Sequence, residues 1–155
     1  MKYLYIFGTI AIILVSVFII FKPKQEVVVA DQTPTPTPKI VTTLPTSGDK
    51  IEVFLFHATQ RCISCINIGK FTKSVVDEKF SQELSTGKII FKEINIDLAE
   101  NRQIAKDYGV SGSSLFITVT KDGQMFKEED TDVWRYVPYE TKFKNYFEAK
   151  LKYLL

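Results

Sequence analysis

The chain has 155 residues, of which 20 are Lys or Arg and 18 are Asp or Glu, so its formal net charge is only +2. A charge this close to balance provides no strongly basic surface and argues against nucleic acid as a partner. The apolar fraction of 45% is ordinary for a globular protein, although one N-terminal segment contributes a large share of it.

That first segment is uninterrupted in its apolar character. Residues 3–21 are nineteen consecutive residues without a charge, and as a helix they would extend about 28 Å, close to the thickness of the hydrocarbon layer. We therefore predict a retained single-pass membrane anchor over residues 1–21. A cleaved signal peptide ending at Ala30 is the alternative, but its apolar core is usually only about 7 to 15 residues long. Lysines flank the segment on both sides, so the positive-inside rule does not fix its orientation.

Residues 22–48 are predicted to form a linker. Pro34, Pro36 and Pro38 alternate with threonine, and no apolar periodicity is present. In extended polyproline geometry, at about 3.1 Å per residue, this linker would reach about 80 Å. Thr/Pro tracts of this kind are common in secreted and surface proteins of bacteria, which favours an extracytoplasmic location for the domain that follows.

Residues 49–155 are long enough for one compact core and too short for two, so we predict a single domain. Residues 51–57 are so apolar that they predict a strand buried on both faces. The sequence then changes to helical spacing at the cysteines and continues so to residue 80. The later elements follow from similar patterns: a strand over 88–97, a helix over 98–107 ended by Gly109, a hairpin of 115–120 and 125–129 around Asp122-Gly123, and a helix over 143–154.

The predicted order is βαβαββα, which gives a mixed four-stranded sheet flanked by helices. With Cys62-Ile63-Ser64-Cys65 at the start of the first helix, this order resembles the minimal thioredoxin-like fold. Further landmarks of the resemblance are Asn95-Ile96-Asp97, Tyr108-Gly109-Val110 and the Lys-Asp-Gly hairpin. The stretch FHATQRCISC also resembles bacterial thioredoxin-like proteins labelled a nitrophenyl-compound nitroreductase subunit of the ArsF type. From these resemblances we carry over only the fold and a redox-active dithiol.

Two cysteines three positions apart at a strand-to-helix junction point to thiol–disulfide exchange. A helix N-terminus presents unpaired N–H groups and partial positive charge, and Arg61 adds a cation, so we expect Cys62 to ionise more readily than a free cysteine. Its thiolate would attack a disulfide of another protein, and Cys65, about one helical turn later, would resolve the mixed disulfide. The sequence thus predicts a thiol–disulfide oxidoreductase with Cys62 and Cys65 as the catalytic residues.

Three alternatives remain open. The cysteines could be a buried, inert pair or a structural disulfide, or the domain could be an adaptor without redox activity. The two thiolates, with His57 as a third ligand, could instead bind a soft ion such as copper(I) or arsenic(III), although a closed zinc site would usually need four ligands. His57 could also transfer protons to the dithiol, or simply be satisfied by a hydrogen bond at the end of its strand.

The thioredoxin resemblance also identifies two departures from the family pattern. Phe56 lies where many thioredoxins bury an acidic residue behind the second cysteine. Ser114 lies where they place a cis-proline opposite the dithiol. A cis bond before a residue other than proline costs about 2.5 to 4 kcal/mol, so we predict a trans bond between Ser113 and Ser114. We expect the Ser114 hydroxyl to face the sulfurs and to form part of the substrate loop.

The remaining patterns are assigned structural roles. The acidic run Glu128, Glu129, Asp130 and Asp132 has no fixed ligand spacing and predicts a solvated loop rather than a metal site. Trp134 is expected to pack on the core or surface. No organic cofactor is predicted, and the expected partners are protein thiols and disulfides, a redox partner that recycles the dithiol, and the membrane.

Overall fold

The computed structural model describes residues 40–41 and 43–155. The predicted anchor over residues 1–21, the possible cleavage site and most of the predicted linker over residues 22–48 lie outside these described residues. None of the helices in the described part of the chain combines the length and the apolar character needed to span a bilayer.

The described residues form five strands and five helices, with one 3-10 turn at Ala99–Asn101. The strands are β1 (Ile40–Val41), β2 (Lys50–His57), β3 (Ile89–Asn95), β4 (Ser114–Lys121) and β5 (Gln124–Glu129). The helices are α1 (Ile63–Lys79), α2 (Ser81–Ser85), α3 (Arg102–Tyr108), α4 (Val133–Tyr136) and α5 (Glu140–Leu154).

The strands form one mixed sheet in the order β1-β5-β4-β2-β3. Strands β2 and β3 are parallel, whereas β4 is antiparallel to both β2 and β5. These four strands are the predicted mixed sheet. A fifth, β1, pairs parallel with β5 at the edge, where Ile40 and Val41 lie opposite Met125 and Phe126. The end of the predicted linker therefore belongs to the sheet.

Strand β2 is buried on both faces, as predicted, because helices cover both sides of the sheet. On one face, Ile51, Val53 and Leu55 pack in the main core beneath α1 and α5, with Phe71, Val75, Phe143, Phe147 and Leu151. On the other face, Phe54 and Phe56 join a second cluster that is covered by Ile104 and Tyr108 of α3. Burying an apolar side chain of this size contributes roughly 1.5 to 3 kcal/mol, so these two layers are the main stabilising feature of the domain.

Two turns form where the sequence predicts them. Gly109 ends α3 with a φ of 67°, a left-handed conformation that glycine adopts without steric cost. Asp122 and Gly123 both have positive φ and join β4 to β5 as a tight hairpin. A mixed four-stranded core sheet with helices on both faces fits the thioredoxin-like α/β fold, and it places the segment after β2 at the carboxyl ends of two parallel strands.

Candidate active site

The two cysteines lie at the first turn of α1. Cys62 is the N-cap residue, in extended conformation, and its sulfur accepts a hydrogen bond from the backbone N–H of Cys65 over 3.3 Å. Both side chains are free thiols; Cys62 is exposed, whereas Cys65 is only 6% exposed. Ile63 and Ile66 near them in α1 are 71% and 45% exposed, so Cys62 shares this end of the helix with exposed apolar side chains. One thiol can therefore meet a partner while the other lies beneath it.

The loop between β2 and α1 is held by the end of β3. The backbone N–H of Thr59 donates to Asp97 over 2.7 Å, and the Asn95 side chain donates to the Thr59 hydroxyl over 3.0 Å. The N–H of Ile96 donates to the His57 carbonyl. The hydrogen bond from Thr59 lowers the pKa of Asp97, which favours the charged carboxylate that accepts it. The Asn95-Ile96-Asp97 landmark thus fixes the position from which α1 begins.

Burial alone would raise the pKa of the Cys65 thiol. Hydrogen bonds with Cys62, with the Ser113 side chain and with backbone groups of the first turn outweigh that effect, so the pKa lies below the ordinary value of 9.0. Ser113, in the loop before β4, contributes to this lowering of the Cys65 pKa. The predicted site residue Ser114 is the first residue of β4 and lies opposite Phe56. The peptide bond between the two serines is trans, which confirms that prediction.

Arg61 lies against the first turn of α1, and its hydrogen bonds go to oxygen atoms. Its Nη2 donates to the Cys65 carbonyl over 3.0 Å, and its Nη1 donates to Glu93 Oε2 over 2.5 Å. The guanidinium therefore contacts the backbone of Cys65 and is paired with a carboxylate from β3.

His57 contacts the same carboxylate. Its Nδ1 is 2.9 Å from the Ala58 carbonyl and must donate to it, as expected for a satisfied histidine at a strand end. The other ring nitrogen, Nε2, is 3.9 Å from Glu93 Oε2. Glu93 thus lies between two basic side chains, although sequence analysis did not select it. Only the pairing of β2 with β3, which places Leu55 opposite Glu93, could have identified it.

The described residues contain no group of three His, Cys, Asp or Glu side chains that could hold a metal ion. The three-ligand form of the soft-metal alternative, with His57 joining the two thiolates, therefore receives no support from the geometry. Binding of a soft ion by Cys62 and Cys65 alone stays an alternative to be tested.

Residue 56, where many thioredoxins have an acidic side chain behind the dithiol, is a phenylalanine in this chain. It is fully buried, with its ring centroid 5.1 Å from that of Tyr108 and 5.8 Å from that of Phe116. An ionisable side chain there would lose its hydration inside an aromatic cluster. Any proton acceptor for the dithiol must therefore come from another position.

The acidic run covers the last two residues of β5 and the turn that follows it, and it contains one buried member, so the prediction of a wholly solvated loop was wrong. Asp130 is 2% exposed, accepts a hydrogen bond from the Tyr146 hydroxyl over 2.7 Å, and lies 3.4 Å from Lys150 Nζ. Burial raises the pKa of Asp130 despite these two partners. The docking of α5 on the sheet creates this environment. Trp134 packs partly buried against the main core, as expected.

No protein-family model matches the sequence, and no curated protein matches it. The solved structures to which the chain is similar are thioredoxin-like proteins. The human ERp44 zinc-bound form is 18% identical with a TM-score of 0.46; the match covers 72% of this chain but only 31% of that one. Malassezia sympodialis thioredoxin is 22% identical (TM-score 0.40, covering 70% of this chain and 91% of that one). Fasciola hepatica thioredoxin is 19% identical (TM-score 0.39, covering 66% and 82%). The resemblance to the ArsF type stays a prediction.

Proposed function

We propose that this chain is a thiol–disulfide oxidoreductase that exchanges disulfides with protein substrates. The observation that carries the proposal is the arrangement of the dithiol: an exposed Cys62 sulfur at a helix N-terminus, with a backbone N–H directed at it and a buried Cys65 one turn later. Helix N-termini favour negative charge, and the thiolate is the reactive form of cysteine. The exposed isoleucines beside Cys62 support contact with the apolar surface of a protein substrate.

The exchange proceeds in two balanced steps. The Cys62 thiolate attacks one sulfur of a substrate disulfide, forms a mixed disulfide and releases the other substrate sulfur as a thiolate, which takes up a proton. The Cys65 thiolate then attacks Cys62, forms the Cys62–Cys65 disulfide and releases the second substrate thiol. The substrate gains two electrons and the dithiol loses two. A separate redox partner must restore the dithiol, and the same steps in reverse would oxidise a substrate.

The proposal includes attachment to a membrane by residues 1–21, with the domain on the extracytoplasmic side. The uncharged segment of nineteen residues and the Thr/Pro-rich linker support this part. A tethered domain would meet membrane and surface proteins whose disulfides need exchange.

Cysteine variants of the full chain test the exchange activity. Cys62→Ala should abolish reduction of a model protein disulfide, whereas Cys65→Ala should accumulate mixed disulfides with its partners, which mass spectrometry would identify. Ser64→Ala, between the two cysteines, is the matched control and should keep turnover. Unchanged turnover in Cys62→Ala would refute the assignment. Stoichiometric copper(I) or arsenic(III) bound by the reduced protein and lost in Cys65→Ala would favour a soft-metal carrier. If the protein shows neither disulfide exchange nor metal binding, the result would favour a redox-silent adaptor.

A further inference from the structure

Glu93 and Arg61 form an ion pair between β3 and the first turn of α1. The guanidinium donates hydrogen bonds to both Glu93 and the Cys65 carbonyl. It therefore contacts the backbone of Cys65 directly, and Arg61 immediately precedes Cys62 in the chain. The Arg61 side chain is only 20% exposed, and its Nε is buried without a hydrogen-bond partner among the described residues. Charges at such a partly buried position are screened less than charges in open solvent.

Gly69 provides the space for this ion pair on the surface of α1. A Cβ atom at that position would lie 2.8 Å from Glu93 Oε1, 2.9 Å from Leu55 Cδ2 and 3.0 Å from Arg61 Nη2. Real Cβ atoms very rarely come closer than about 3.0 Å to such neighbours, so a larger residue at position 69 would require these side-chain ends to shift. The helix therefore accommodates the carboxylate and the guanidinium through a glycine that costs roughly 1 kcal/mol of helix propensity relative to alanine.

We propose that Glu93 is a positioning residue that holds Arg61 against the dithiol turn and offsets its charge, and thereby sets the balance between the dithiol and the disulfide. This inference rests on the proposed function. The dithiol can carry a negative charge as a thiolate, whereas the disulfide is neutral. An uncompensated cation beside the turn favours the reduced protein, and an uncompensated carboxylate favours the oxidised protein.

The electrostatic role makes a prediction that a purely structural role does not make. Glu93→Gln leaves Arg61 unpaired and should shift the equilibrium toward the dithiol. Arg61→Gln removes the guanidinium partner of Glu93, leaves only His57 Nε2 at 3.9 Å, and should shift the equilibrium toward the disulfide. The double variant, which removes both charges, should lie between them. If the pair only clamps α1 to β3, all three variants loosen the same turn and should shift the equilibrium in one direction or leave it unchanged.

The experiment measures the redox equilibrium between the full chain, held in detergent, and glutathione. In this equilibrium the protein dithiol and one oxidised glutathione convert to the protein disulfide and two reduced glutathione molecules. Acid quenching and alkylation report the oxidised fraction at one fixed pH. We expect shifts of about three- to tenfold in opposite directions for the two single variants, where a tenfold change corresponds to about 30 mV.

Glu52→Gln is the matched control, because Glu52 also lies on a strand and in an ion pair, 2.8 Å from Lys50 and toward the other end of β2. It should leave the equilibrium unchanged. Thermal unfolding, monitored by Trp134 fluorescence, identifies any variant that fails to fold. If one single variant fails, the other single variant and the double variant still give the direction in which the dithiol–disulfide equilibrium shifts. Shifts in one direction, or none, would overturn the role of Glu93. If the wild-type chain forms no reversible Cys62–Cys65 disulfide, the proposed function itself fails instead.

Discussion

At the scale of single residues, the site depends on which groups reach the buried thiol. Cys65 is buried in the first turn of α1, yet its pKa lies below the ordinary value because its hydrogen bonds outweigh the effect of burial. Ser113 supplies one of these hydrogen bonds from the loop before β4. We infer that Ser113 helps Cys65 to act as the resolving thiolate.

Replacement of Ser113 tests this contribution. In a Cys62→Ser variant, where Cys65 is the remaining thiol, Ser113→Ala should raise the pKa of Cys65, because one stabilising hydrogen bond is lost while burial is unchanged. The measurement is the ultraviolet absorbance of the thiolate as a function of pH. Ser114→Ala in the same variant is the control and should leave the pKa in place. A larger shift from Ser114→Ala would show that the neighbouring hydroxyl, as originally predicted from the sequence, is the one that faces the sulfur.

At the scale of elements, local sequence patterns were sufficient to predict each helix, strand or turn whose structure is determined within its own segment. The apolar run of β2, the helical spacing that became α1 and α5, the left-handed Gly109 and the Asp122-Gly123 hairpin all follow from local rules. Strand β1 was missed because two residues carry no periodicity. Glu93 was missed because its partners come from β2 and from the loop before α1, which only the register of the sheet brings together.

Asp130 was misassigned for the same reason, since its environment is created by a distant helix. Tyr146 and Lys150 of α5 both approach its carboxylate. The Tyr146 ring also packs in a tilted arrangement against Tyr136 of α4, with 4.8 Å between the ring centroids. A short sequence window contains none of these contacts. The buried carboxylate therefore joins the end of β5 to α5, and its protonation state should affect how well that helix docks.

The stability of the protein should depend on pH through Asp130. The pKa of Asp130 in the folded state is above its usual value of 3.8, so the folded protein holds a proton that the unfolded chain has released. The stability that this carboxyl contributes is therefore fully present below about pH 4 and is lost as the pH rises through the folded pKa. The free energy of unfolding of the wild type relative to Asp130→Asn should decrease over that interval, as measured by urea unfolding at a series of pH values.

Asp132→Asn is the matched control for this dependence. It makes the same chemical change in the same acidic run, but the Asp132 side chain is 46% exposed and pairs with Arg135 three residues later. Its difference from the wild type should follow the Asp130 trend only weakly, because the Asp132 charge is the smallest of the influences on the pKa of Asp130. An equal slope for both variants, or a difference for Asp130→Asn that increases with pH, would contradict a raised pKa of the buried Asp130.

At the scale of the whole molecule, the proposed tether is shorter than the sequence suggested. Because Ile40 and Val41 pair with β5, residues 22–39 remain as the spacer between the proposed anchor and the domain. In the predicted extended geometry, at about 3.1 Å per residue, these residues would reach about 56 Å instead of about 80 Å. The proposed substrates are therefore proteins within that distance of the membrane surface, or proteins that diffuse to it.

The proposed attachment and orientation can be tested together in intact cells. The full chain should sediment with membranes and resist an alkaline wash, whereas a variant without residues 1–21 should be released, because the uncharged segment supplies the hydrophobic anchor. A membrane-impermeant maleimide should label Cys62 before lysis, since its sulfur is exposed, and should not label Cys62→Ser, in which only the buried Cys65 remains. Labelling of the wild type only after lysis would place the domain on the cytoplasmic side. A soluble mature protein that begins after Ala30 would instead identify residues 1–30 as a cleaved signal peptide.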